Sequence, residues 1–276
     1  MLFRKSKEKE LRMVLEVQIH NRKSVLVGTA HFFPYSFKTS LLRYIKDAQT
    51  VLLEGPLDND SMAKVVRAGM QEDNVPHLFE QLDKKTIAGV CKAMAPAFRQ
   101  KRSFLLLDLL NPIAENPVYA MIKGMKPWLA FFTLWSSYLK RNGWCYSVDL
   151  EAYETAREMG KEVVFLETIE EQIAVLESLS HQKIIDFLKR VDNWNTYANE
   201  YVKCYLSGDF AKLRSVGFRF PSRHYNVIDR RDQIFYERML TYLENGDAVV
   251  CVGAPHLRGI AELLRAAGYQ ARGFQL

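Results

Sequence analysis

Apolar and polar residues alternate from Arg12 to Ile19 (RMVLEVQI), the period of a half-buried strand, and after the polar Asn21-Arg22-Lys23 a β-branched run, SVLVG, follows. The pattern predicts an opening hairpin. Its second run ends as VLVGTAH at 25–31 and returns near the other end of the chain as VVCVGAPH at 249–256. In both places a buried strand stops at Gly-x-x-His, and a segment with apolar positions at helical steps comes next. The first such segment, Leu41 to Ala48 with Thr39 or Ser40 as its cap, leads to TVLLEG at 50–55; the second, Leu257 to Gly268, leads to YQARGF.

Between Ser61 and about Leu213 the pattern is mostly helical, through MAKVVRAGM, SFLLLDLL, PWLAFFTLWSSYL and EEQIAVLESL among others, with Pro76, Pro96, Pro112, Pro117, Pro127, Gly143, Gly160 and Gly208 as punctuation. KEVVFLET, Lys161 to Thr168, reads as an extra strand. Asp229 to Asn245 reads as an amphipathic helix with Ile234, Met239, Leu240 and Leu243 facing inward. The expected fold is therefore α/β, a central mixed sheet built from two related strand–Gly-x-x-His–helix–strand halves with a large, mostly helical insertion. No Gly/Ser/Pro-rich linker divides it, so residues 1–276 are read as one unit: an N-terminal half-site at about 12–60, the insertion at about 61–217 and a C-terminal half-site at about 218–276. Residues 1–12 read as a charged, mobile arm.

A glycine at a strand end lets the chain turn sharply and presents the next side chains at the carboxyl edge of a sheet, where α/β proteins hold ligands. Each Gly-x-x-His alone is equally a strand end with a surface histidine. Two copies in matching contexts, carrying two of six histidines, favour one shared site built from His31 and His256. Glu54 follows the VLL strand before Gly55-Pro56; a right-handed crossover brings it out beside His31, and a solvated strand-end glutamate is the competing reading. Arg230 and Arg231 stand at the expected helix N-terminus, against the dipole, which suits an arginine facing a carboxylate or a substrate oxyanion; a solvated arginine is the alternative.

Composition narrows the field. With 276 residues, 48% hydrophobic content, a formal charge of +6 and a pI near 9.0, the chain is an ordinary globular one. Its lysines and arginines are interspersed with acids and form no basic stripe with interleaved aromatics, which excludes a nucleic-acid binder. Cys91, Cys145, Cys204 and Cys251 form no CxxC pair and read as isolated buried thiols. The basic start lacks the apolar core of a secretory signal, so a cytoplasmic location is expected. Pro127 to Leu139 falls short of the ~20 apolar residues that span a bilayer, so it reads as a buried helix or pocket wall, with peripheral membrane contact as the minor alternative.

Across most of its length the chain resembles TraB/GumN-like proteins, which include the TIKI Wnt-cleaving metalloproteases and are distantly similar to the ChaN and erythromycin-esterase folds. The resemblance is carried by VGTAH at 27–31, LLEGPLD at 52–58, Pro127-Trp128, VDLEAYETAREMGKEVVFLETIEEQ at 148–172, YLSGDFAKL at 205–213, Arg231-Asp232 and VGAPHLRGIAELLRAAGY at 252–269. It implies that His31, His256, Glu54 and Arg231 line a catalytic site. The family usually shows Arg-Asn where this chain has Arg231-Asp232, which leaves the role of position 232 open.

Two imidazoles and a carboxylate form a ligand set for a divalent ion that keeps a position for water, so the resemblance implies a metal-dependent, peptidase-like hydrolase with zinc, manganese or cobalt on His31, His256 and Glu54. Asp58 is a further candidate for the shell. Substrates of this reading are peptides or small esters and amides. Two alternatives stand beside it: a metal-free, esterase-like hydrolase, in which one histidine abstracts a proton from water and the other with Arg231 holds the oxyanion, and a protein that sequesters a peptide or a flat, haem-like ligand against the aromatic run Trp128–Trp135.

Overall fold

The computed structural model describes residues 7–70, 78–94, 116–222 and 225–273. SFLLLDLL and the prolines at 76, 96 and 112 lie outside them. Six strands, β1 (Val14–Ile19), β2 (Arg22–Thr29), β3 (Thr50–Leu53), β4 (Glu162–Phe165), β5 (Ala248–Gly253) and β6 (Gln270–Gly273), form one sheet in the order β4-β3-β5-β2-β1-β6. β1 is antiparallel to both of its neighbours, and every other pairing is parallel. The opening hairpin is tighter than expected: Arg22 and Lys23 join the strand, and His20 takes a positive φ of 53° in the turn.

The helices are α1 (Lys38–Ile45), α2 (Asn59–Gly69), α3 (Lys84–Met94), α4 (Pro117–Ile122), α5 (Pro127–Arg141), α6 (Val148–Glu158), α7 (Ile169–Glu177), α8 (His181–Lys189), α9 (Trp194–Ser207), α10 (Phe210–Gly217), α11 (Tyr225–Asn245) and α12 (Leu257–Ala266). Among its described residues the insertion is thus helical apart from β4, which lies on the β3 edge as a parallel strand. α1 starts earlier than its serine and threonine suggested. Ser40 is buried and its Oγ accepts from Leu11 N, while the amide of Thr39 donates to Glu8. Residues 7–11 are consequently no free arm, since Lys9 N also donates to Ser36 O and Leu11 is buried in the core.

Strand order corrects one expectation. β2 and β3 run parallel, but β5 stands between them, so the residue after β3 emerges beside β5 and not beside His31. From β2 the chain crosses to β3 on one side; from β5 it crosses past β2 and β1 to β6 on the other. Right-handed crossovers in opposite directions put α1 and α12 on opposite faces and open a crevice at the carboxyl ends of β2 and β5. α1 packs on α6, and α12 packs on α11.

The two Gly-x-x-His glycines interlock the halves. Gly253 has φ −51°, available to any residue, and Gly28 has no positive φ either, so neither is needed for a turn. Both are needed for space. A Cβ on Gly28 would sit 2.7 Å from Leu257 Cδ1 and 3.0 Å from Ala254 Cα, and one on Gly253 would sit 3.0 Å from Glu54 Oε1. Each half lacks a side chain where the other approaches.

One core lies around the sheet and combines Leu15, Leu26, Leu52, Val250, Leu257 and Phe235 from both halves; a second lies within the insertion. The aromatic stretch 127–139 belongs to these cores. Trp128 and Phe131 are buried, and Trp135 meets Phe187 and Trp194 edge to face at 5.3 and 5.5 Å between centroids, an apolar packing arrangement rather than a pocket wall. No helix among the described residues is long and apolar enough to cross a membrane. All four cysteines are free; Cys204 and Cys251 are buried, Cys91 is half-buried and Cys145 is exposed, which corrects the expectation of four buried thiols.

Tyr205 of α9 ties the insertion to the first half: its buried hydroxyl donates to Gly28 O at 2.5 Å, and its ring packs on Phe33 and Phe37. Replacing it by phenylalanine leaves that buried carbonyl without its donor, which should lower stability by about 1–2 kcal/mol. The check is a lower urea midpoint with an unchanged slope; an unmoved midpoint would show that the bond contributes nothing.

Candidate functional site

Four strand ends deliver acids and imidazoles to the crevice. His31 follows β2, Glu54 follows β3, Glu167 follows β4 and His256 follows β5 by a single 3-10 turn. The β3–β4 ladder runs on past both strands through Leu166 N to Leu53 O and Glu167 N to Glu54 O, so the two glutamates are neighbours. Arg231 enters from α11. Its Nε and Nη2 donate to the two oxygens of Glu167 at 2.8 and 2.7 Å, Nη2 also donates to Glu54 Oε2 at 3.1 Å, and Nη1 lies 3.3 Å from His256 Nε2. Its guanidinium also rests over the Phe235 ring.

α11 begins at Tyr225, so Arg230 and Arg231 fall in its second turn and the expected conflict with the helix dipole does not arise. The buried stripe is Ile228, Asp232, Phe235, Met239 and Leu243, while Ile234 and Leu240 are only half-buried. Arg230 is exposed and takes no part.

His256 is locked from both sides. Nδ1 lies 2.6 Å from Asp232 Oδ1, and an arginine N–H can only donate, so Nε2 is the acceptor and Nδ1 carries the proton. Asp232 in turn contacts Arg214, which also pairs with Asp229. Gly259 makes room for this carboxylate: a Cβ there would overlap Asp232 Oδ2.

His31 is held differently. Its side chain is 69% exposed, and Nδ1 stands 3.1 Å from Oδ2 of Asp149, an α6 residue whose own side chain is 8% exposed. The Asp149 charge raises the His31 pKa from 6.5 to about 9, with help from Glu54 and against the Arg231 charge. Solvent around the open ring screens part of that attraction. For Glu54, burial works to raise the pKa, but Arg231, then His256, His31 and the bond from Gly253 N at 2.5 Å outweigh it and bring the carboxyl down to about 2. Burial likewise disfavours the Arg231 charge, and Glu54 and Glu167 more than restore it, holding its pKa above the ordinary arginine value.

The structure thus brings Glu54, Arg231 and His256 into direct contact and leaves His31 at the open rim. The three expected metal ligands do not share a shell. Both Glu54 oxygens already accept hydrogen bonds, His256 has one nitrogen on Asp232 and the other against Arg231, and Arg231 lies within hydrogen-bonding distance of both residues. No group of three His, Cys, Asp or Glu among the described residues is arranged to hold a metal ion. As they stand, these residues do not fit a resident divalent ion; the guanidinium supplies the positive charge. Asp58 serves elsewhere, capping α2 by accepting from Ser61 N and Oγ.

Sequence reasoning missed Glu167, Asp149 and the position of Asp232. Glu167 had a signal, because VVFLET repeats the strand-then-glutamate pattern of TVLLEG. Asp232 had another: it is a charged residue on the buried stripe of α11.

Glu54 gives a pH prediction. Its folded-state pKa of about 2 lies below the ordinary 4.5, so its stabilisation is complete above pH 4.5 and is lost as pH falls through about 2. Acid unfolding of Glu54→Gln should therefore be less steep in that window, from a lower stability at neutral pH. Parallel stability–pH curves for the two proteins would contradict it.

Comparison with known proteins adds one match. A family model described as TraB/PrgY/gumN family covers residues 13–272. No curated protein and no solved structure matches the chain. With the match spanning nearly the whole chain, both Gly-x-x-His strand ends and Arg231 included, the protein belongs to the TraB/PrgY/gumN family.

Proposed function

We propose that this sheet edge is the active site of a hydrolase that cleaves a peptide or a small ester or amide. One observation carries the reading: a buried arginine, fixed by two glutamates and a carboxylate-locked histidine, lies at the switch point of an α/β sheet within electrostatic reach of a histidine open to solvent. Fixed donors of this kind stabilise negative charge without reorganising, which is what an attacked carbonyl oxygen requires.

In this reading water attacks the carbonyl carbon, and charge develops on the carbonyl oxygen beside Arg231. His31 takes the water's proton and returns it to the departing nitrogen or oxygen. Glu54 orients the water; its carboxylate is anchored by Gly253 N and so keeps its place. His256 holds Arg231 in line. Because the donor atoms of Glu54 and His256 are already committed and leave His31 alone with a free nitrogen, no step is routed through an ion. A shallow groove of about 520 Å³, lined by Pro56, Lys64, Phe165, Ile169 and Arg238, reaches Glu167 but none of His31, His256, Glu54 or Arg231, so it borders the reacting groups without containing them.

The test is a screen of peptides, esters and amides with purified protein. His31→Asn and Arg231→Lys should each lower kcat/KM by about 100-fold or more while the fold survives. Activity should persist in EDTA and rise with pH above 6.5, because a raised pKa delays appearance of the free base. Activity lost to EDTA and restored by zinc, manganese or cobalt would favour the metal-dependent form, and variants with undiminished turnover would overturn the assignment.

A further inference from the structure

Both Gly-x-x-His histidines meet a carboxylate through Nδ1, but only one of the pairs is sealed. The side chains of His256 and Asp232 are 6% and 3% exposed, and the remaining nitrogen of His256 is engaged by Arg231. In the other pair the imidazole is open, and among the described residues its Nε2 has no partner.

The placement of Asp149 is built into the backbone. Val148 N donates to Ala30 O at 3.0 Å, Phe33 N donates to Tyr146 O at 2.8 Å, and Tyr146 N donates to Phe33 O at 3.1 Å. These bonds bracket His31 on one segment, and on the other they end at Val148, one residue before Asp149. A second clamp follows at Phe37 N, which donates to Glu151. The two side chains meet because the backbone is fastened on both sides of His31 and next to Asp149, with the Glu151 side chain holding the far side.

Helix capping does not account for this carboxylate. Ser147 already caps α6 by accepting from Leu150 N, and Asp149 Oδ2, fully buried, has no well-aligned hydrogen bond, its contact being the approach of His31 Nδ1 to 3.1 Å. A buried carboxylate oxygen is ordinarily well bonded. This one is left facing an exposed imidazole, an arrangement that serves a ring whose proton moves better than it serves stability. Glu54 and Arg231 are the other charged groups that act on His31.

We infer that Asp149 is a positioning residue for the hydrolase proposed above, dividing the labour between the histidines. Through its contact with Nδ1, Asp149 fixes the ring and the tautomer of His31 so that Nε2 is the atom that exchanges protons. Nε2 takes a proton from water as the new carbon–oxygen bond forms, and gives it to the leaving nitrogen or oxygen as the old bond breaks. His256, with Asp232, stays static and supports Arg231.

The experiment uses the full chain with ¹⁵N-labelled histidine. Two-bond ¹⁵N–¹H correlation spectra, recorded at a pH where His31 is neutral, should show the Nδ1–H tautomer of His31 in the wild type and its loss in Asp149→Ala. With a substrate from the screen, Asp149→Ala should lower kcat by about 10-fold or more with KM within threefold, a part of the roughly 10²–10⁴-fold that general acid–base catalysis supplies. Asp149→Glu should recover part of it. Asp149→Asn, close to isosteric, covers the case in which the alanine variant does not fold. A wild-type His31 that is protonated on Nε2 in the neutral ring, or a tautomer and kcat unmoved by both substitutions, would overturn the inference. If no substrate is turned over, the hydrolase reading fails while the tautomer of the wild-type ring still decides the placement of Asp149.

Discussion

One guanidinium organises this protein's crevice. Arg231 makes bonds to Glu167 and Glu54 and lies against His256, which puts it in contact with residues that follow β4, β3 and β5. Each of those acids is largely withdrawn from water, where an unpaired carboxylate is expensive, and each is compensated by the same cation. The site is therefore a closed electrostatic unit: removing Arg231 leaves both acids buried without their cation. Only His31, at the end of β2, stands outside that unit with freedom to exchange protons with solvent.

The fold is shaped to let this unit form. Crossovers from β2 and β5 diverge, which opens the sheet edge, and the glycines that end these strands let the halves approach until Glu54 bonds to Gly253 N. Gly259 plays the same part for Asp232. All three glycines are sites of close contact, where a methyl group would collide with a functional carboxylate or with the opposite half.

Much of the fold was legible in the sequence because buried parallel strands leave continuous apolar runs, and VLVG, TVLL, VVF and VVCVG are all strands. The order of those strands was not legible, since pairing between segments two hundred residues apart leaves no local trace; that is why Glu54 was expected beside His31 and stands instead beside β5. At the site, residue types pointed to two imidazoles and a carboxylate, and with the family resemblance those types suggested a metal. The arrangement departs from that suggestion because Arg231, Gly253 N and Asp232 engage Glu54 and His256 where such an ion would need them. Asp149 left no signal, because acids are ordinary in the first turn of a helix. Asp232 left a clear one, a charge on an otherwise apolar stripe.

The account turns on Arg231 and Glu167 acting as a coupled buried pair and not as two independent polar residues. A double-mutant cycle in denaturant unfolding, built from Arg231→Met, Glu167→Gln and their combination, measures that coupling directly. The account predicts that the double variant is more stable than the sum of the single losses implies, by about 2 kcal/mol or more. Losses that add within about 0.5 kcal/mol would contradict it.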